Sequence, residues 1–230
     1  MTDDVTAKIV RPWEVFSQDQ RTIFCVDRTA GDDPNLDALF ADLPPIQRMN
    51  QVHGCGVHAV SALGASSEIP DADAIVSAQA SVTLLVRTAD CVPVVLWDRH
   101  SAVTAVVHAG WRGFVAGVIP AAVTAMTTAG ASVSTISAWV GPSICSQCYE
   151  VGVDVQRQIV AVSAAALAQT TDGQPAADVG AGVVDQLRVL GITEIGRDMR
   201  CTKETASLYS ARGGDNVQRL QFVVSVDVRD

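Results

Sequence analysis

Only four histidines occur in this chain, and two of them stand where an apolar run meets glycine. His53 lies in Asn50-Gln-Val-His-Gly54 and His108 in Val107-His-Ala-Gly110. Glycine at such places lets the backbone turn sharply and lets other atoms come close. Strand ends followed by turns of this kind are where sites are commonly built. A third segment, Thr88-Ala-Asp-Cys91, ends another apolar run and sets a carboxylate beside a thiol. Two imidazoles and a thiol are donors that zinc prefers, and three protein ligands leave the fourth position open, as in catalytic sites. A water bound there becomes a nucleophile near neutral pH. The spacing alone does not select zinc. A buried cysteine also serves as a small apolar group, and a histidine beside a turn as a plain hydrogen-bonding one.

Arginines matter if the chemistry involves an anion. Arg112 follows His108 by four residues and opens a helical stretch, where backbone N–H groups favour anions. Arg212 sits in the glycine-rich Tyr209-Ser-Ala-Arg-Gly-Gly214. Either guanidinium can grip a phosphate through two parallel hydrogen bonds; either can equally be a solvated surface charge. Cys145-Ser-Gln-Cys148 has the spacing of half a structural zinc site, but no second CxxC exists. Two structural thiols in a loop are expected there, with a redox dithiol as the alternative. His58 and His100 are expected at the surface.

Strands and helices must bring these segments together. Strands are expected at Lys8–Phe16, Arg21–Asp27, Val57–Val60, Val82–Val86, Val92–Trp97, Ala102–Val107, Ile136–Val140 and Arg219–Val228. A short helix at Leu36–Leu43 follows the turn chemistry of Gly31-Asp-Asp-Pro34 and closes at Pro44-Pro45. Apolar residues from Val115 to Met126 recur at helical spacing, with Gly130 as the stop. Val155–Ala168 and Val179–Leu190 read as further helices. The elements mix without the regular alternation of a dinucleotide-binding fold, so the class is α/β or α+β with mixed sheets.

Composition limits the function. The 230 residues are 48% apolar but only 5% aromatic, which calls for a core of small and β-branched side chains. The net charge is −9, and no lysine or arginine cluster runs along any segment, so nucleic-acid binding has no electrostatic footprint. The acidic start lacks the charged and apolar regions of a secretory signal. No apolar run approaches the roughly 20 residues that span a bilayer. A cytoplasmic, monomeric protein without membrane contact is expected, its six cysteines being thiols or metal ligands.

Six strings occur in order: Asn50-Gln-Val-His-Gly54, Ala72-Asp-Ala-Ile-Val76, Thr88-Ala-Asp-Cys-Val-Pro93, His108-Ala-Gly-Trp-Arg-Gly113, Gly141-Pro-Ser-Ile144 and Cys148-Tyr-Glu-Val-Gly152. Over residues 46–212 the set resembles the YfiH family, whose members carry the names laccase-domain polyphenol oxidase, purine nucleoside phosphorylase and peptidoglycan editing factor. The resemblance implies a single domain over residues 1–230, layered α/β/β/α with mixed sheets. It implies zinc on His53, Cys91 and His108, with copper as an alternative metal. It also implies phosphorolysis of adenosine, inosine, guanosine and methylthioadenosine, together with adenosine deamination. Gln51, Arg112 and Arg212 are then the substrate-binding candidates, and Cys91, Asp90 and Arg112 the catalytic ones. Asp90 is favoured over Glu150 as the proton-shuttling acid because it adjoins a ligand. Two departures touch phosphate binding. An Asn-Arg pair that usually follows the 31–34 turn is missing, and Ala211 and Gly213 flank a single Arg212 where the family has Ser-Tyr-Arg-Arg. A hydrolytic or deaminase bias would follow from that loss.

Three other functions compete. His₂Cys with an axial methionine is a blue-copper set, but a multicopper oxidase needs more histidines than four, usually as His-x-His pairs. Cys91 could be the nucleophile of a hydrolase with His53 or His108 as its base, which suits peptidoglycan editing. A binding module without catalysis is the remaining alternative.

Overall fold

The computed structural model describes residues 14–32, 34–60 and 69–226. In chain order its strands are β1 (Glu14–Gln18), β2 (Arg21–Val26), β3 (Ile46–Gln47), β4 (Val57–Val60), β5 (Ala74–Ser77), β6 (Thr83–Thr88) and β7 (Val92–Asp98). They continue with β8 (Thr104–Ala109), β9 (Ile136–Val140), β10 (Leu167–Gln169), β11 (Pro175–Ala177), β12 (Glu194–Arg197) and β13 (Leu220–Val226). The α-helices are α1 (Leu36–Leu39), α2 (Trp111–Ala116), α3 (Val118–Thr128), α4 (Val153–Val162) and α5 (Val179–Val189).

Two mixed sheets dominate. One has the order β1-β2-β13-β6-β3 and the other β12-β9-β7-β8-β5-β4. The alternation of side chains along each strand shows how they stack. On β2, Ile23 and Cys25 face one core while Phe24 and Val26 face another. On β7, Val95 and Trp97 turn to the core that Ile23 faces, while Val92, Val94 and Leu96 turn away from it. On β13, Leu220, Phe222 and Val224 enter that shared core, and Val223 the opposite one. The sheets therefore pack face to face. Helices α3 and α5 cover the outer face of the six-stranded sheet through Ile119, Met126, Val183 and Leu187. The short α1 covers part of the other outer face through Leu36, beside Phe40. The result is the expected α/β/β/α layering, in which β5, β7, β8 and β9 of the six-stranded sheet are buried along their whole length and read as largely apolar runs.

The elements depart from the sequence reading in definable places. Residues 8–13 of the first expected strand, Asp33 of the expected turn and residues 227–228 of the last strand lie outside the described residues. The first helix closes at Leu39, four residues before the expected end. The helix read from Val115 begins at Trp111 and is broken at Gly117, whose φ of 89° suits glycine. The helix read as Val155–Ala168 ends at Val162. Ser163 is extended, its hydroxyl donates to Asp185 at 2.6 Å, and the chain turns into the β10–β11 hairpin. Gln156 ties that hairpin back to α4 by donating to the carbonyls of Ala168 and Ala176. Alanine content favours helix locally, and tertiary hydrogen bonds override it here. Strands β3, β5, β10, β11 and β12 were not expected; each has four residues or fewer, too short for periodicity to reveal.

Phe222 is fully buried between the sheets, with its ring 5.8 Å from that of Trp139. Phe222→Ala is expected to cost about 3–5 kcal/mol of unfolding free energy, because two stacked sheets cannot collapse onto the void. Equilibrium denaturation checks this, and a loss below about 1 kcal/mol would mean that the inter-sheet core is loosely packed.

Candidate metal centre and its pocket

The register of the six-stranded sheet brings distant segments to one end. Ala74 at the start of β5 pairs with Val107 near the end of β8, and Val92 at the start of β7 pairs with Ala109. Thr88 ends β6 in the facing sheet. The loops before β5, before β7 and after β8 thus meet above one edge of the sandwich. They carry Asp73, Cys91 and Gly110, with His108 in the last turn of β8.

His53, Cys91 and His108 converge there with their donor atoms all within 4.8 Å of one another. Cys91 Sγ lies 3.9 Å from His53 Nε2, and the two imidazoles meet edge to face with centroids 4.7 Å apart. His108 is buried and Cys91 half-buried. One carboxylate holds the arrangement. Asp73, with no exposed surface, accepts a hydrogen bond from His108 Nδ1 at 2.8 Å. It also accepts from the backbone N–H groups of His53 at 3.0 Å and Gly54 at 2.6 Å. A proton fixed on Nδ1 leaves His108 Nε2 as the donor to a metal, the arrangement that orients metal-bound histidines generally. His53 itself adopts a left-handed backbone, φ 61°, so this bridging carboxylate also stabilises an unfavourable turn.

Charges in the cluster support one another. Burial alone would raise the Cys91 thiol, but the His108 and His53 imidazoles outweigh it and bring the thiol down to about 6. Burial would lower His108, yet Asp73 and then Cys91 raise it to about 9. Burial would likewise raise Asp73, and its bonds to His108 and to the Gly54 N–H hold it below the ordinary carboxylate range. An anionic sulfur is the donor state that a metal requires, and a metal would displace the proton that Asp73 and Cys91 hold on His108 in its absence.

The glycines of His108-Ala-Gly-Trp-Arg-Gly113 are dictated by this packing. A Cβ at Gly110 would stand 2.9 Å from the His53 ring and 3.0 Å from Cys91 Sγ. A Cβ at Gly113 would stand 2.7 Å from the Gly54 carbonyl oxygen. The first glycine leaves room for the ligands, and the second lets α2 lie against the turn that carries His53.

The cluster forms part of the wall of a cavity of about 620 Å³, which is also lined by Gln51, Arg87, Asp90, Trp111, Arg112, Tyr149, Arg212 and Arg219. Each expected site residue is therefore present at one cavity, but their roles differ. Gln51 is clamped to β6: its amide donates to the Arg87 carbonyl at 2.7 Å and accepts from the Arg87 N–H at 2.9 Å. Asp90, at φ 87°, accepts from the Thr202 hydroxyl at 2.6 Å and from the Arg212 N–H at 2.7 Å. The Glu150 side chain is exposed, and its carbonyl receives the Arg212 guanidinium at 3.1 Å. The Arg212 guanidinium also stacks 5.0 Å from the Tyr149 ring centroid, and that of Arg112 stacks 4.5 Å from the Trp111 ring. Among the described residues the Arg112 guanidinium has no hydrogen-bond partner and lines the cavity. The Arg219 guanidinium is spent on the carbonyls of Asp215, Asn216 and Gln218.

Sequence reasoning left Asp73, Tyr149 and Arg87 without roles. Asp73 had a signal, since a lone carboxylate directly before the apolar run of β5 must be buried and therefore partnered. Tyr149 adjoins the second cysteine of the CxxC; burial, then the Cys91 charge, push its phenol up to about 12, so it stays a proton-bearing donor. Nothing local marked Arg87. His100 is exposed as expected, whereas His58 is half-buried on β4.

Against known proteins, residues 30–225 match the family described as multi-copper polyphenol oxidoreductase laccase. The chain belongs to this family. It is the YfiH family whose motifs the sequence displays. A relative from Streptomyces coelicolor, named purine nucleoside phosphorylase SCO2081, is 42% identical over 206 residues, covering 86% of this chain and 85% of that protein. Adenosine deaminase RL5, from an unidentified prokaryote, is 39% identical over 124 residues, covering 51% of this chain and 47% of its own length. The crystal structure of Bacillus licheniformis YfiH shares the fold at a TM-score of 0.81 with 20% identity, covering 90% of this chain and 93% of that one. No described helix is long and apolar enough to cross a membrane.

Asp73→Ala removes the acceptor that fixes both the His108 tautomer and the His53 turn. It is expected to weaken metal binding about 10–100-fold, read by competition with a chromogenic chelator. Gly110→Ala should act in the same direction by pushing His53 from Cys91. Unchanged affinity in both variants would show that the ligands are positioned by other contacts.

Proposed function

We propose that this chain is a purine nucleoside phosphorylase that accepts adenosine, inosine, guanosine and methylthioadenosine and also deaminates adenosine, with His53, Cys91 and His108 holding zinc. One observation carries the reading. A single cavity unites a metal-competent His₂Cys set with the Arg112 and Arg212 guanidiniums and the aromatic faces of Trp111 and Tyr149. A nucleoside needs an aromatic wall for its base, and phosphorolysis needs cations for its second substrate. At 42% identity, the resemblance to a protein named purine nucleoside phosphorylase supports the same activity, and that to an adenosine deaminase supports the second one.

Zinc bound by the three residues would supply a fixed positive charge that polarises a substrate oxygen or activates water. The donor set fits it: two imidazoles and a thiolate, one imidazole held by a carboxylate, with one face open to the cavity. The protein's own groups do the rest. Arg112 presents unengaged guanidinium donors to a phosphate, and Arg212 adds a second cation held against Tyr149. Together with Arg87 on the same wall, they offset the loss of the Ser-Tyr-Arg-Arg string. The Tyr149 phenol offers a hydrogen bond to a base or ribose oxygen. Asp90, both of whose oxygens are engaged, holds Cys91 and the Arg212 backbone in place. Phosphorolysis is the leading activity because the relative named for it matches over 86% of this chain and 85% of its own length, whereas the adenosine deaminase matches over 51% and 47%. All six cysteines are free thiols, which suits the reducing cytoplasm.

Copper oxidation of phenols is weaker on ligand grounds. A blue-copper centre takes an axial methionine beside His₂Cys, and no methionine lines the cavity among the described residues.

Zinc-loaded protein incubated with adenosine should release adenine and ribose 1-phosphate when phosphate is present, and a smaller amount of inosine regardless of phosphate. Mass spectrometry distinguishes the products, and Cys91→Ala should abolish both. Inosine alone would reassign the protein as a deaminase. Neither product would sink the nucleoside reading and favour a Cys91 hydrolase. Arg112→Ala should raise the KM for phosphate at least about tenfold, the weight of one charge-assisted bond, while changing that for adenosine little.

A further inference from the structure

Outside the cavity, two short segments share one spacing. Cys145-Ser-Gln-Cys148 and Cys201-Thr-Lys-Glu204 each set two metal-donor side chains three positions apart. The sequence reading searched for a second CxxC and so passed over the CxxE. In the fold the two segments lie side by side, bridged in parallel at Ser143 and Cys201, with the Thr202 N–H donating to the Ser143 carbonyl at 3.2 Å. Each closes its own turn: the Cys148 N–H donates to the Cys145 carbonyl at 3.1 Å, and the Thr205 N–H to the Cys201 carbonyl at 3.0 Å. The donor atoms of Cys145, Cys148, Cys201 and Glu204 all lie within 4.8 Å of one another. Cys145 Sγ is 3.7 Å from a Glu204 carboxylate oxygen, and the Cys145 N–H points at Cys201 Sγ from 3.3 Å.

We propose that Cys145, Cys148, Cys201 and Glu204 bind a second, structural zinc ion. Ligands about 2.3 Å from a tetrahedral centre stand about 3.8 Å from each other, so the cluster needs only a small contraction to close on the metal. Three sulfurs select a thiophilic ion such as zinc over magnesium or calcium. Four protein donors complete its coordination, which marks a structural site. A backbone N–H aimed at sulfur stabilises the thiolate form. Binding releases the three thiol protons to solvent. A disulfide would use only two of the three sulfurs and give Glu204 no part.

The location gives this ion a function. The Ile144 N–H, immediately before the first segment, donates to the Asp90 carbonyl at 3.1 Å. The Thr202 hydroxyl, inside the second, donates to the Asp90 carboxylate at 2.6 Å. Asp90 precedes Cys91, and Cys148 precedes Tyr149 in the cavity wall. Zinc that clamps the two segments therefore fixes the cavity's thiol and phenol without touching substrate. This inference does not depend on which reaction the cavity performs.

Protein purified without chelators and analysed by plasma mass spectrometry should contain two zinc ions per chain, one remaining in Cys91→Ala and one in Cys148→Ser. Cys91→Ala protein loaded with cobalt should still show thiolate-to-cobalt charge-transfer bands, since the cavity's thiol is gone. Glu204→Gln should fold normally by circular dichroism and release the second zinc to a chelator about tenfold faster than the parent. It keeps the test open if Cys148→Ser fails to fold. One zinc per chain, lost in Cys91→Ala, with no cobalt–thiolate bands in that variant, would overturn the proposal. So would a disulfide among Cys145, Cys148 and Cys201 in freshly alkylated protein.

Discussion

A fully buried carboxylate is tolerated only when its oxygens are satisfied, and Asp73 is satisfied by the groups that need placing. It takes one donor from His108 at the end of β8 and two from the His53–Gly54 turn. Breaking a buried pair of this kind by deleting one partner costs about 3–5 kcal/mol, because the remaining charge has nowhere to go. The same bonds that stabilise the fold therefore fix the ligand geometry, and the two cannot be separated by mutation at Asp73. This explains why a turn with a left-handed histidine persists at the lip of a cavity.

The sandwich supplies the rigidity that this carboxylate exploits. β5, β7 and β8 are central strands of the six-stranded sheet, buried on both faces and hydrogen-bonded on both edges. Their ends differ little in position because antiparallel pairing fixes Ala74 opposite Val107 and Val92 opposite Ala109. Loops can then carry chemistry with strand-like precision. Glycine at 110 and 113 completes the fit by removing the side chains that would separate α2 from the ligands.

How much of this was legible follows from what each feature depends on. Buried central strands and long helices announce themselves by composition over several residues, so β6, β7, β8, β9, α3 and α5 were found with small errors at their ends. The end of α4 was missed because Ser163 obeys Asp185, 22 residues away, and not the alanines that follow it. The candidate ligands His53, Cys91 and His108 were visible because their side chains are rare and chemically distinctive. Gln51 and Asp90 were singled out through their neighbours in sequence, and the fold sets both in the lining of the cavity. What those two side chains touch, Arg87 in one case and Thr202 and Arg212 in the other, is a property of the sheet register, which periodicity does not encode. The same limit hid the fourth donor of the Cys145 cluster, since only folding brings Glu204 to it.

Charge distribution joins the two clusters. The chain carries nine more acidic than basic residues, yet four arginines line the one cavity that also holds the His₂Cys set. Two of them are held by aromatic faces and one by three carbonyls, and among the described residues Asp90 is the one carboxylate in the lining, so the wall carries more cations than anions from carboxylates. The net negative charge of the chain discourages nonspecific anion and nucleic-acid binding, and the arginines give this one cavity a local pull on a small anion. The hinge of this arrangement is Asp90. Its carboxylate carries the Arg212 backbone, its carbonyl takes the Ile144 N–H just before the Cys145–Cys148 turn, and its neighbour is the thiol of the candidate metal set. Arg212, the Cys91 thiol and the Cys145–Cys148 turn therefore meet at one residue: the first and third each reach Asp90 through a hydrogen bond, and the thiol through the peptide bond.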